Sequence, residues 1–98
     1  MTLERTLSEL GDEESAFRSA GLTPLSGLTP DELVQFDATW AGLSPQRRCS
    51  VLARMSELGE HSIELDFTPI FLRCLTDRDD GVREQAARSL WELSLIHI

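Results

Sequence analysis

Apolar residues recur at helical spacing along residues 29–42, and the residues before them are typical of a helix start. Thr29 precedes Pro30 and stands three residues before Glu32, which is the capping-box pattern of hydroxyl and carboxylate. Gly42 is placed to end the helix in a left-handed conformation. The predicted inner face comprises Leu33, Phe36 and Trp40.

The same order of signals returns in the next segment, "LSPQRRCSVLARMSELG". Ser44 is the expected cap, Pro45 the first helical residue and Gly59 the terminator. The predicted apolar stripe comprises Val51, Leu52, Met55 and Leu58. These two helices would form a first helical hairpin over residues 29–59.

A second hairpin is predicted over residues 66–93. Its first helix starts from Asp66 as the cap, and its apolar positions are Phe67, Ile70, Phe71, Cys74 and Leu75. Asp79 or Asp80 would cap the second helix. The inner face of that helix is expected to carry Val82, Ala86 and Leu90, with Ala87 and Trp91 beside it.

The first 28 residues carry weaker signals. Leu3, Leu7 and Leu10 are spaced for a short helix, and a further helical turn would end at Gly21 before a connector rich in Pro, Gly and Ser. No stretch of the chain shows the alternation of β-branched and polar residues that strands need. The predicted fold class is therefore all-α.

The two hairpins repeat each other without a gap at a shift of 35 residues. Phe36 then falls on Phe71 and Arg48 on Arg83, and the helices and turns coincide. A single helical pair of this size cannot bury its apolar face, so such units stack and share a core.

Residues 75–90, "LTDRDDGVREQAARSL", resemble the HEAT-repeat pattern of the bacterial armadillo-like proteins. Asp77, Val82, Arg83, Ala86 and Leu90 occupy the matching positions. The resemblance implies that the turn Asp and the Arg six residues later form a hydrogen-bonded ladder between neighbouring repeats. It thus makes Asp77, Arg83 and Arg48 the structural ladder, with a side-chain bond expected between Arg83 and Asp77. In the first hairpin Gly42 stands where the Asp is expected.

These observations predict a short α-solenoid of two HEAT-like helical hairpins. Residues 1–28 form an N-terminal arm with short helices and a connector, and residues 29–93 hold the two hairpins, 29–59 and 66–93. The final "LSLIHI" resembles read-through of a sequencing adapter. We expect native sequence to end near Glu92 or Leu93, residues 94–98 to be a non-native, disordered or loosely extended tail, and the full protein to continue into further repeats.

The charge balance narrows the choice of partners. Nine basic residues, none of them lysine, face seventeen acidic ones, and the net charge is −8. An acidic chain repels nucleic acid, and no apolar run is long enough to span a bilayer. No secretory leader is visible, and two isolated cysteines fit reduced thiols, so a cytoplasmic location is expected.

Three groups of residues have side chains suited to catalysis or metal binding, but each is weak evidence for such a site. Cys49, His61 and Asp66 are the types of a thiol-nucleophile site, but each has a simpler explanation in a stripe, a loop or a cap. The cysteines and histidines share no metal-ligand spacing. The acidic turn "DRDD" lacks the glycine and glutamate of a calcium loop. We expect no catalytic, cofactor-binding or metal-binding residues.

The resemblance implies a non-enzymatic protein-interaction or scaffold module, here a truncated fragment of a longer repeat protein that binds an unidentified protein partner. Self-association through an uncapped last repeat is a further expectation. The alternative is a HEAT protein similar to phycobilin lyases or to DNA glycosylases. Candidate partner contacts on the polar helix faces are Arg47, Arg54, Arg73 and Arg88.

Overall fold

A computed structural model of the chain describes residues 3–14, 16–17, 19–62 and 64–96, and the regular elements in these ranges are all helical. The all-α prediction is therefore confirmed for the described part of the chain. A 3₁₀ helix, Ser19–Leu25, lies between the first two α-helices. The α-helices are α1 (Leu3–Gly11), α2 (Pro30–Trp40), α3 (Pro45–His61), α4 (Thr68–Cys74) and α5 (Asp80–Ile96).

Three helices begin where capping chemistry predicts. The Thr29 backbone N–H donates to Glu32 Oε1 at 2.9 Å, and the Glu32 N–H donates back to Thr29 Oγ1 at 3.3 Å, which completes the capping box of α2. Ser44 Oγ accepts from the Arg47 N–H at 3.2 Å at the start of α3. Asp79, rather than Asp80, caps α5 by accepting from the Val82 N–H at 3.0 Å.

The start of α4 differs from the prediction. The helix begins at Thr68, and its cap position is Phe67, which makes no side-chain capping bond. Asp66 is held one residue earlier because its N–H donates to Ser26 Oγ at 2.7 Å and its carbonyl accepts from the Gly27 N–H at 3.0 Å. Its carboxylate still accepts from the Thr68 N–H, at 3.0 Å.

Two of the predicted glycine terminators are wrong. Gly42 follows α2 without a left-handed backbone, and among the described residues only Gly27 has a positive φ, of 64°. Gly59 lies inside α3, which continues to His61. A Cβ at Gly59 would lie 3.6 Å from Leu93 Cδ2, an ordinary van der Waals distance, so this buried position faces α5.

The helices pack in a regular order. α5 contacts α3 and α4, α1 contacts α2, and the 3₁₀ helix contacts both α1 and α3. A Cβ at Gly81 would lie 3.8 Å from Cys49 Sγ, close to the start of both α3 and α5, whereas Gly59 meets Leu93 near their ends. Helices α3 and α5 therefore lie side by side and run in the same direction.

One core is shared by both hairpins and by the N-terminal segment. The Phe36 and Trp40 rings stack with centroids 4.9 Å apart, and the rings of Phe67 and Phe71 lie 6.5 Å apart. The described residues of the N-terminal segment contribute five buried leucines: Leu7, Leu10, Leu22, Leu25 and Leu28. Residues 1–28 therefore supply part of the core that covers α2 and α3.

Trp91 is the main departure from the predicted core, because its side chain is 65% exposed. The buried face of α5 carries Val82, Ala86 and Ser89, with Leu90 only half-buried. Residue 91 follows Ser89 by two positions, or about 200° around a helix, which turns it toward solvent. The expectation that Trp91 packs beside the core is wrong.

Helix α5 continues through Ile96, so residues 94–96 are helical rather than loosely extended. Residues 97–98, the rest of the expected tail, lie outside the described residues. In the part of the chain that the structure describes, every helix is too short or too polar to cross a membrane.

Candidate interaction groove on helix α3

A buried ion pair joins the two hairpins. The Arg48 side chain is 1% exposed, and its Nε lies 3.1 Å from Asp77 Oδ2. Arg48 Nη2 donates to Asp77 Oδ1 at 3.1 Å, and Nη1 donates to the Leu43 carbonyl. Since Arg48 belongs to α3 and Asp77 to the turn between α4 and α5, this contact fixes α3 against that turn.

The side-chain bond expected between Arg83 and the Asp77 carboxylate is replaced by two other contacts. Arg83 donates to the backbone carbonyl of Asp77 and forms an ion pair with Asp80. The Asp77 carboxylate is already engaged, because it accepts from Arg48 and from the Asp79 N–H at 2.9 Å. The ladder residues therefore meet, but Arg48 and not Arg83 holds the carboxylate.

Two of the four arginines predicted to contact a partner lie apart from the others. The Nε of Arg73 on α4 donates to both carboxylate oxygens of Asp37 on α2, at 3.0 and 3.1 Å. Arg88 on α5 pairs with Glu84 at 3.1 Å within its own helix. Arg73 also borders a surface cavity of about 460 Å³ beside the start of α4, but its guanidinium is already turned to Asp37.

The other two arginines share one groove. This groove has a volume of about 460 Å³ and runs along the solvent side of α3; it is lined by Ala16, Phe17, Arg47, Ser50, Ala53, Arg54 and Glu57. The guanidinium of Arg47 lies 4.7 Å from the centre of the Phe17 ring, within cation–π range. The groove thus combines an aromatic wall, two cations and a floor of small residues.

Arg47 is fixed by the end of α1. Its Nε donates to the Leu10 carbonyl at 3.2 Å, and its Nη2 donates to the carbonyls of Glu9 at 3.1 Å and Asp12 at 3.2 Å. The last carbonyls of a helix lack partners within the helix and carry partial negative charge, so a cation there is favourable. Arg47 therefore caps α1 while presenting its planar face to Phe17.

The segment after α1 crosses the start of α3, and we call its described residues, 12–14 and 16–17, the strap. Glu13 anchors it, because one carboxylate oxygen accepts from the Ser44 N–H at 3.1 Å and the other accepts from the Ser44 hydroxyl. The hydroxyl hydrogen bond is the main cause of a lowered pKa for Glu13. A smaller hollow of about 220 Å³ is lined by Glu13 and Ser44 together with Phe17.

Sequence patterns do not single out Glu13 or Phe17. Both fall between regular elements, where helical periodicity assigns no inward or outward face. The one signal available is a lone aromatic residue three positions after the acidic run "DEE". Their shared position over α3 follows only from the three-dimensional structure.

Arg54 is the least constrained cation of the groove. Its Nη1 lies 3.4 Å from Glu57 one turn along the same helix, and both side chains are more than half exposed, at 54% and 60%. Exposed pairs of this kind contribute little, because water and salt screen them. Arg54 can therefore exchange Glu57 for another carboxylate at small cost.

The thiols are poorly suited to nucleophilic chemistry. Burial raises the pKa of the Cys74 thiol to about 12, and burial is also the main cause of a raised pKa for Cys49. His61 lies twelve residues beyond Cys49 on α3, about 18 Å along the helix axis. Among the described residues no three His, Cys, Asp or Glu side chains are grouped as metal ligands.

No protein-family model, curated protein or solved structure matches this chain.

Proposed function

We propose that the protein is a non-enzymatic protein-interaction or scaffold module of the HEAT-repeat type that works in the cytoplasm. The observation that carries the proposal is the groove on α3, with Arg47 held in place, Phe17 on its wall and Arg54 weakly paired. Interaction sites are enriched in aromatic and arginine side chains that contribute most of the binding energy.

Two features support the repeat type. The second helices of both hairpins run side by side in the same direction, as stacked repeats require. The Arg48–Asp77 pair links neighbouring hairpins through the residues that the HEAT resemblance makes the ladder. A stack of helices does not by itself define a function. The binding role is therefore inferred from the side chains of the groove.

The proposal is tested by capturing host proteins on the purified full chain and on two charge-reversal variants, Arg54→Glu and Arg88→Glu. The two arginines are matched, because each is 54–58% exposed and paired with a glutamate of its own helix. A partner that uses the groove should be retained by wild type and by Arg88→Glu and lost by Arg54→Glu. Equal retention by all three proteins would exclude the groove.

The alternative functions make different demands. A DNA glycosylase needs a basic face for the phosphate backbone, which a chain with a net charge of −8 does not favour. A bilin lyase needs a cavity for the pigment. We expect neither retention on DNA at low salt nor a spectral change with bilin, and micromolar binding of either would displace the interaction proposal.

A further inference from the structure

We propose that the strap is an intramolecular occupant of one end of the groove, and that the partner that displaces it presents an acidic segment carrying an aromatic residue. This inference rests on the proposed function, because it names the chemistry of the partner and the way in which access is controlled. The strap shows what this surface binds: a carboxylate at Ser44 and a ring on Arg47.

The strap is held by Glu13 on Ser44, by the Asp12 carbonyl on Arg47 and by Phe17 at the edge of the core, but most of it faces water. Asp12, Glu13, Glu14 and Ala16 are exposed, and Phe17 is half-buried. In contrast, α1 is anchored in the core by Leu7 and Leu10. Segments with little buried apolar surface open locally without unfolding the rest of the protein. The strap can therefore leave α3 while α1 stays in place.

The strap supplies two of the groove's lining residues, Ala16 and Phe17, but the α3 side of the groove does not depend on it. Arg47 still donates to the carbonyls of Leu10 and Glu9 when the strap is lifted, since both belong to α1. Ser44 is kept in its capping conformation by the Arg47 N–H, which donates to its hydroxyl. Opening would thus expose a preformed site rather than a collapsed one, which favours binding.

A partner must gain something that the strap lacks, because a tethered segment competes at an effective concentration in the millimolar range. Arg54 supplies that contact, since the carboxylate it pairs with is Glu57 of the same helix. Arg47 and Arg54 are seven residues apart, about 10 Å along α3. An extended segment covers that distance in about three residues.

The partner segment therefore carries an aromatic residue for Arg47 and a carboxylate about three residues away for Arg54. Its charge is opposite to that of both arginines, and its carboxylate would take the place of Glu57 on Arg54. A neutral aromatic segment would leave Arg54 with its present weak pair and would have no advantage over the strap.

The test uses a labelled peptide, ELGDEESAFGGE, which copies residues 9–17 and adds a carboxylate three positions after the phenylalanine. Its binding to the full chain is measured by fluorescence anisotropy for wild type, Glu13→Ala and Glu14→Ala. Glu13 bonds Ser44, whereas Glu14 is an exposed neighbouring acid and serves as the matched control. Circular dichroism verifies that each variant keeps its helices.

If the strap covers the site about nine-tenths of the time, Glu13→Ala should bind the peptide about tenfold more tightly than wild type. Glu14→Ala should bind as wild type does. Adding Arg54→Ala to Glu13→Ala should remove the gain, and a peptide with Ala in place of Phe should bind at least about tenfold more weakly.

Equal affinity of Glu13→Ala and Glu14→Ala would overturn the strap as an occupant, and equal affinity of the Phe and Ala peptides would overturn the aromatic requirement. Either result would leave the proposed function standing if capture of a host protein still depends on Arg54. If the peptide binds well but capture of host proteins does not depend on Arg54, the proposal of a host partner is refuted. The proposal that the strap occupies the groove then still stands.

Discussion

Arg47 and Arg48 are neighbours in the chain, yet they join α3 to different parts of the molecule in opposite ways. Arg48 is 1% exposed and forms an ion pair with Asp77 between the two hairpins. Arg47 is half-buried and donates to backbone carbonyls at the end of α1, with its face on Phe17. One joint lies inside the protein and the other lies at its surface.

The difference shows how burial decides what an arginine contact does. Removing one partner of a buried pair leaves an uncompensated charge out of reach of water, which is strongly destabilising. Exposed contacts are screened, so they open and close at little cost. The interior joint around Arg48 is therefore permanent, whereas the surface joint around Arg47 and the strap is adjustable.

The largest expected effect tests the interior joint. Asp77→Ala should lower the free energy of unfolding by about 3–5 kcal/mol, because it leaves the Arg48 cation buried without its partner. Urea unfolding followed by circular dichroism measures this change. The matched control is Asp80→Ala, since Asp80 also pairs with an arginine but is 93% exposed, and it should cost less than about 0.5 kcal/mol. Equal costs would abolish the distinction between the two joints.

A second test compares two neighbouring residues of α4, of which one side chain is buried and the other is exposed. Phe71 is 1% exposed, whereas Leu72 is 54% exposed. Phe71→Ala should cost about 3–5 kcal/mol through lost burial and a remaining cavity. Leu72→Ala should cost less than about 1 kcal/mol, because most of its side chain stays in water. A small loss for Phe71→Ala in urea unfolding would mean that α4 contributes little to the core.

The sequence predicts best those features that depend on local chemistry. The capping box at Thr29, the cap at Ser44 and the buried position of Phe71 follow from spacing alone, and the structure confirms them. Predictions fail where a distant residue decides. Helix α4 starts late because Ser26, forty positions away in the sequence, holds Asp66.

The candidate site was predicted only in part for the same reason. An exposed helix face indicates that Arg47 and Arg54 are available, but it does not show which carbonyls or rings they meet. The contacts of Arg47 with α1 join residues more than thirty positions apart. Trp91 shows the opposite error, because an apolar residue was assigned to the inner side of α5 although its angular position turns it to solvent.

A smaller effect is expected at the surface joint. Arg47→Ala should cost about 1–2 kcal/mol, because it removes the cation that caps the carbonyls at the end of α1. The loss should be local, so amide hydrogen exchange should accelerate more in α1 than in α5. Arg54→Ala on the same helix should leave exchange in α1 unchanged. Equal acceleration of exchange in α1 and α5 after Arg47→Ala would show that the Arg47 contacts, like the Arg48–Asp77 pair, stabilise the whole protein and not α1 alone.

The smallest effect concerns pH and the strap. The Ser44 hydroxyl holds the pKa of Glu13 below its ordinary value of 4.5. A group whose pKa is lowered by folding stabilises the folded contact above the unfolded pKa, and that stabilisation is lost as the pH falls through the folded pKa. The Glu13 anchor of the strap should therefore hold at pH 7 and weaken as the pH falls from 4.5 through the lowered pKa of Glu13. The chemical shift of the Ser44 amide proton, followed by NMR, should titrate with a midpoint below 4.5 in wild type and in Glu14→Ala and should lose this transition in Glu13→Ala. A midpoint at or above 4.5 would show that the carboxylate is not held, and the adjustable joint would then rest on Arg47 and Phe17 alone.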